Sequence, residues 1–119
     1  MKLLINTYSD KDSLELAINL IPKGIEPIET SSQEDTIAVL KNDPHIVIIL
    51  TEAKDIQFLT EIKRVSPKVH IFLVYHQSLK PQELMPMMKV GITALIEYTV
   101  SASVMSESII QSIISINIS

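Results

Sequence analysis

Residues Pro44 to Leu50 read Pro-His-Ile-Val-Ile-Ile-Leu, a run of apolar, mostly β-branched side chains with a turn residue before it and polar residues after it. A strand that is apolar on both sides has to be covered on both faces, and such strands belong to parallel sheets sandwiched between helices. In open α/β sheets the chemistry gathers at the carboxyl ends of the central strands. Here that end reads Leu50-Thr51-Glu52.

The 119 residues suffice for one domain with a single core, residues 1–119. Apolar residues make up 46%, which argues against disorder. The absence of cysteine excludes a disulfide framework and thiolate metal sites or nucleophiles. With a net charge of -4 and no basic run longer than Lys63-Arg64, the chain lacks the footprint that nucleic acid requires. Its apolar runs are of strand length, short of a membrane span. Met1 to Ile5 is too short and too soon polar for a signal peptide. A cytoplasmic protein is expected. Gly24 and Gly91, the only glycines, each follow a helix-like segment and precede a strand-like one, where a left-handed cap is wanted. No glycine-rich phosphate loop remains.

In chain order, Lys2–Thr7 reads as a first strand. Ser9 or Asp10 caps a helix whose apolar positions are Leu14, Ala17, Ile18 and Ile21. Ile25–Glu29 alternates like a half-exposed edge strand. Ser31 or Ser32 with Glu34 or Asp35 opens a second helix, with Ile37, Val39 and Leu40 apolar. The central strand follows, then a helix with Ile56, Phe58, Leu59 and Ile62 inward, and a fourth strand over Val69–Tyr75. Pro81 suits the first position of a fourth helix, whereas Pro86 predicts a kink or a late start. Ile92–Glu97 is the fifth strand, and Ser101 or Ser103 begins a last helix through Ile109, Ile110, Ile113 and Ile114. Five strands alternating with five helices predict an α/β, flavodoxin-like three-layer sandwich with parallel strand order 2-1-3-4-5.

The whole chain resembles the receiver domain of two-component response regulators, the CheY-like superfamily. The resemblance rests on Lys2-Leu3-Leu4-Ile5, on Pro44 to Leu50 against the family's Pro-Asp-Leu-Val-Leu-Leu-Asp, on Phe72-Leu73-Val74-Tyr75-His76, and on Lys89 to Tyr98 against Lys-Ala-Gly-Ala-Asp-Asp-Tyr-Leu-Thr-Lys. It implies five positions for phosphoryl chemistry. Two acids after strand 1 and an acceptor Asp after strand 3 would hold Mg²⁺, and a Thr or Ser and a Lys would bind the phosphoryl group. Here the acidic pair falls on Asn6-Thr7 or Thr7-Tyr8, the acceptor on Leu50, the Thr/Ser on Val74 and the Lys on Tyr98. All five are replaced, so the resemblance implies a degenerate pseudo-receiver with no metal, no cofactor and no enzymatic activity. An active receiver with a shifted site would need Glu52 or Asp55 as acceptor and Asp10 or Asp12 as ligands.

Glu52 could mimic a phosphorylated Asp, although a solvated loop residue, or one in a helix first turn where the dipole favours it, is the plainer reading. His45, His70 and His76 fall at opposite ends of the sheet. Of these, His76 lies beside Tyr98 and Tyr75 at the C-terminal edge. Ser78 lacks an elbow motif. Met85, Met87 and Met88 around Pro86 suit either an adaptable binding face or gap filling. Ser108–Ser119 carries no charge, and its isoleucines spread over more than one stripe, which predicts an exposed apolar patch. The expected interaction face is therefore Met85, Met87, Met88, Tyr98, Ile109, Ile113 and Ile116, docking a protein partner, a second copy or a C-terminal output domain of a longer regulator. The alternative is a flavodoxin-like small-molecule or enzymatic domain using the C-terminal crevice. Its phosphate loop would be Thr7 to Lys11, which lacks glycine.

Overall fold

The computed structural model describes residues 1–6, 10–52, 55–76 and 80–116, with backbone alone at 10 and 11. Along the chain run β1 (Lys2–Asn6), α1 (Asp10–Leu20) with a closing 3-10 turn (Ile21–Lys23), β2 (Glu26–Thr30), α2 (Gln33–Asn42), β3 (Ile46–Thr51), α3 (Ile56–Val65), β4 (His70–Tyr75), α4 (Pro81–Val90), β5 (Ile92–Glu97) and α5 (Ala102–Ser115). The five strands are parallel, in the order β2-β1-β3-β4-β5. This is the sandwich and the order that the alternation of strand-like and helix-like segments predicts.

The β3 run is covered twice, as its composition demands. Ile48 and Leu50 pack with Leu3, Ile5, Phe72 and Val74 under α1 and α5. Ile46 and Ile49 pack with Leu4, Ile71 and Leu73 under α2, α3 and α4. Val47 is the extra residue of a bulge, since Lys2 pairs with Ile46 and Leu3 with Ile48.

Helix ends follow local chemistry. Ser32 caps α2 by accepting from the Asp35 N–H at 3.0 Å, Asp55 caps α3 by accepting from Gln57 at 2.9 Å, and Ser101 caps α5 by accepting from Val104 at 3.3 Å. Gly24 and Gly91 close the turn after α1 and helix α4 with φ of 81° and 110°. The late start considered for this helix does not occur: α4 runs from Pro81 to Val90 with Pro86 inside it. Pro86 is exposed, and so is Gln82, whose carbonyl loses its helical donor to the proline.

Helix α1 corrects the sequence reading. Its core face is Ser13, Leu16, Ala17 and Leu20, while Leu14, Ile18 and Ile21 are exposed. Two stripes on this helix satisfy helical spacing, and contact with Leu3, Ile5 and Ile25 selects the one through Leu16 and Leu20. Helix α5 absorbs most of its isoleucines. Ile109 is fully buried, and Ile110, Ile113 and Ile116 are half-buried against the same core. Ile109 and Met87, both expected on the interaction face, therefore belong to the core, because each fills the space between its helix and the sheet.

Candidate functional site

The C-terminal ends of β1, β3, β4 and β5 converge on one edge of the sheet, where the fold class places its sites. Asn6 and Thr51 are the last residues of their strands and are paired in register. The Asn6 Nδ2 donates to Thr51 Oγ1 at 3.3 Å, and Thr51 is fully buried. Thr51, one residue past Leu50, is the side chain at the mouth of β3. Leu50 itself is 0% exposed and sits in the core between Ile5 and Phe72 on the neighbouring strands. Val74 is likewise buried, opposite Ile96.

Beyond the strand ends lies a polar cluster. The Tyr98 N–H donates to the Tyr75 carbonyl at 2.9 Å, which extends the β4–β5 ladder by one bond and fixes the Tyr98 ring. That ring stacks on His76, with centroids 4.3 Å apart. His76 Nε2 meets the Glu52 carboxylate, and Tyr98 Oη donates to Asp12 Oδ2 at 3.2 Å. Glu52, expected as a solvated loop residue or in a helix first turn, keeps only 14% of its side chain exposed beside the imidazole. The phenol of Tyr98 is pushed above its ordinary range, first by burial, then by the Asp12 hydrogen bond and the negative charges of Asp12, Glu52 and Glu15. It stays a neutral donor, which suits bracing and not nucleophilic attack.

The juxtaposition of His76 with Tyr98 and Tyr75 is legible in the sequence. Asp12, 86 residues from its partner Tyr98, is not, and neither is the pairing of Glu52 with His76. Thr7, Tyr8, Ser9 and Ser78 lie outside the described residues. His45 is exposed at the opposite end of the sheet, and His70 Nδ1 lies 3.3 Å from Thr93 Oγ1 at the start of β4. The three histidines do not converge.

A hard divalent cation wants several carboxylate or carbonyl oxygens on one point. Among the described residues no group of three or more His, Asp or Glu side chains is placed to hold one. The strand-end donors Asn6 and Thr51 are neutral and bonded to each other. Among the described residues, these donors do not fit the Mg²⁺ of phosphoryl-transfer receivers.

No protein-family model and no curated protein matches this sequence. Solved structures do match. An orphan response regulator of H. pylori superposes with a TM-score of 0.80 at 16% identity, over 94% of this chain and 95% of that one. A two-component response regulator from Clostridium difficile gives 0.79 at 14% identity, over 99% of both chains. A pilus assembly-related protein from Burkholderia pseudomallei gives 0.73 at 13% identity, over 94% and 88%. From its strand order and these superpositions, the chain has the fold of response regulator receiver domains.

Proposed function

We propose that this chain is a receiver-like signalling domain that regulates by contact with other proteins and takes no phosphoryl group. One observation carries the reading. At the positions that the resemblance to receivers assigns to phosphoryl chemistry stand Asn6, Leu50, Val74 and Tyr98, and Leu50 and Val74 are 0% and 1% exposed in the core. A leucine has no atom to accept a phosphoryl group, and neutral donors compensate a dication poorly. Tyr98, which the resemblance sets at the receiver's lysine position, is held by His76 and Asp12 and bridges β5 to α1 and to the loop after β4.

The contact face we assign runs along α4, β5 and α5. Met85, Met88, Leu95 and Ile114 are among its exposed apolar residues, and Ile113, Ile116 and Tyr98 on the same elements are half-buried. Methionines adapt to a partner's shape, and an edge strand flanked by apolar residues is a common site of association. The partner is a second copy or an output domain.

The test is incubation with acetyl phosphate, and with Mg²⁺ plus beryllofluoride. Intact mass and melting temperature are expected to stay unchanged. A phosphorylated product, or clear thermal stabilisation by beryllofluoride, overturns the reading. Met85→Lys combined with Met88→Lys is expected to weaken association without lowering the melting temperature, since both residues are exposed.

A further inference from the structure

Helices α2 and α3 leave a trough of about 570 Å³ between them, a volume within the range of sites that take small organic molecules. Part of its lining is apolar, with Ile37 and Ala38 from α2 and Phe58, 5% exposed, from α3. Both helices follow parallel strands and lead into parallel ones, so their N-termini lie at the same end of the trough, where the strands finish. The lining carboxylates at that end are Glu34, in the first turn of α2, and Asp55, the N-cap of α3.

These two carboxylates have capacity to spare. Both residues are exposed. Asp55 Oδ1 accepts from the Gln57 N–H at 2.9 Å, which leaves Oδ2. Among the described residues no cation is bonded to either group. The helix N-termini offset about half a charge each, so this end of the trough stays negative. Two turns further along α2, about 10 Å away, the balance changes. Lys41 lines the trough there, and Glu61 across from it accepts from Arg64 Nε at 2.8 Å. The Glu61 carboxyl is held below its ordinary range, first by that hydrogen bond and also by the charges of Arg64 and Lys41.

We propose that the α2–α3 trough binds a small organic cation, an amine carried on an aromatic or branched aliphatic body. The ammonium sits between Glu34 and Asp55, and the body lies along Ile37, Ala38 and Phe58. Charge selects this ligand. A carboxylate at the same end would meet two like charges, and a neutral molecule would gain only the apolar lining. A bare divalent cation wants more oxygens than these, and among the described residues no third His, Asp or Glu side chain joins the pair. Helix α3 lies between α2 and α4, so the trough stands apart from the contact face on α4 and β5.

The test titrates the isotope-labelled domain with phenethylamine, with its carboxylate counterpart phenylpropionate and with the neutral phenethyl alcohol. Fragments of this size bind at about millimolar strength. The amine is expected to shift backbone resonances within residues 33–42 and 55–61, less so at high salt, and the other two to bind several-fold more weakly. Glu34→Gln combined with Asp55→Asn weakens amine binding by about threefold or more. The melting temperature stays close to that of the wild type, since asparagine caps a helix as well as aspartate. Ala38→Phe, at an exposed position, fills the trough and abolishes binding, also without unfolding the domain. Four outcomes overturn the proposal: no shifts up to about 10 mM amine, beyond the strength expected of such a fragment; an equal response to the carboxylate or the alcohol; shifts centred outside α2 and α3; or wild-type affinity in the double variant.

Discussion

The imidazole of His76 lies on the phenol ring of Tyr98, the centroids 4.3 Å apart and the planes 26° from parallel. Each ring also meets a carboxylate through its polar atom, His76 Nε2 with Glu52 and Tyr98 Oη with Asp12. The stack thereby ties the ends of β3, β4 and β5 to helix α1. Burial and the Asp12 hydrogen bond keep the Tyr98 phenol neutral above its ordinary value of 10.0. The unfolded chain loses that proton first, so the native state binds more protons and stability falls as pH rises from 10 through the folded value. Asp12→Asn is expected to shift the tyrosinate absorbance of Tyr98 to lower pH. The signal is isolated by difference against Tyr98→Phe. A titration unmoved by Asp12→Asn would refute the contact.

The two glycines differ in what a side chain would meet. At Gly24, φ is 81° and a Cβ has nothing within 4 Å, so Gly24→Ala carries only the cost of a left-handed residue, about 1–2 kcal/mol. At Gly91, φ is 110° and the Cβ would touch Lys63 Cε at 3.6 Å. The further departure from the left-handed well makes Gly91→Ala the costlier change. Urea denaturation of the two variants should rank them in that order.

How far the sequence carries is shown by two helices. The fold follows from β3, because an apolar run from Ile46 to Leu50 tolerates only a sheet covered on both faces, and the order 2-1-3-4-5 follows from right-handed crossovers. On α1 the spacing is degenerate: Leu14–Ile18–Ile21 and Leu16–Leu20 both read as a helical face, and only packing on Leu3 and Ile5 decides. On α5 an all-round apolar pattern reads as excess, yet the sheet and α1 take up Ile109 and half-cover Ile113 and Ile116. The site is legible where it depends on strand ends, as with His76 beside Tyr98. It is illegible where a partner comes from a distant element, as Asp12 does.

His70 stands at the start of β4 with its Nδ1 beside Thr93 Oγ1. Burial first, and the charge of Lys63 second, hold its pKa below the ordinary 6.5. Between the folded value and 6.5 the unfolded chain binds the proton that the native state refuses, so stability is full above that range and declines as pH falls through it. The urea midpoint of the wild type should fall between about pH 7.5 and about pH 5.5, and that of His70→Gln should fall less. Parallel midpoints for the two proteins would contradict the assignment.

Ile109 and Ile114 lie five residues apart on α5 and have opposite environments, 0% and 65% exposed. Ile109 packs among Leu3, Phe72 and Met105 and has no room to relax, so Ile109→Ala leaves a cavity. The expected cost is about 2–5 kcal/mol, at about 4–8 °C of melting temperature per kcal/mol for a domain of this size. Ile114→Ala removes only solvated surface and should stay within about 0.5 kcal/mol. The contrast separates the two roles of this helix. A variant at Ile109 that weakens partner binding would do so by loosening the domain, whereas one at Ile114 that weakens binding with its melting temperature intact marks a contact. Equal melting temperatures for the two alanine variants would mean that α5 packs on the sheet through a different face.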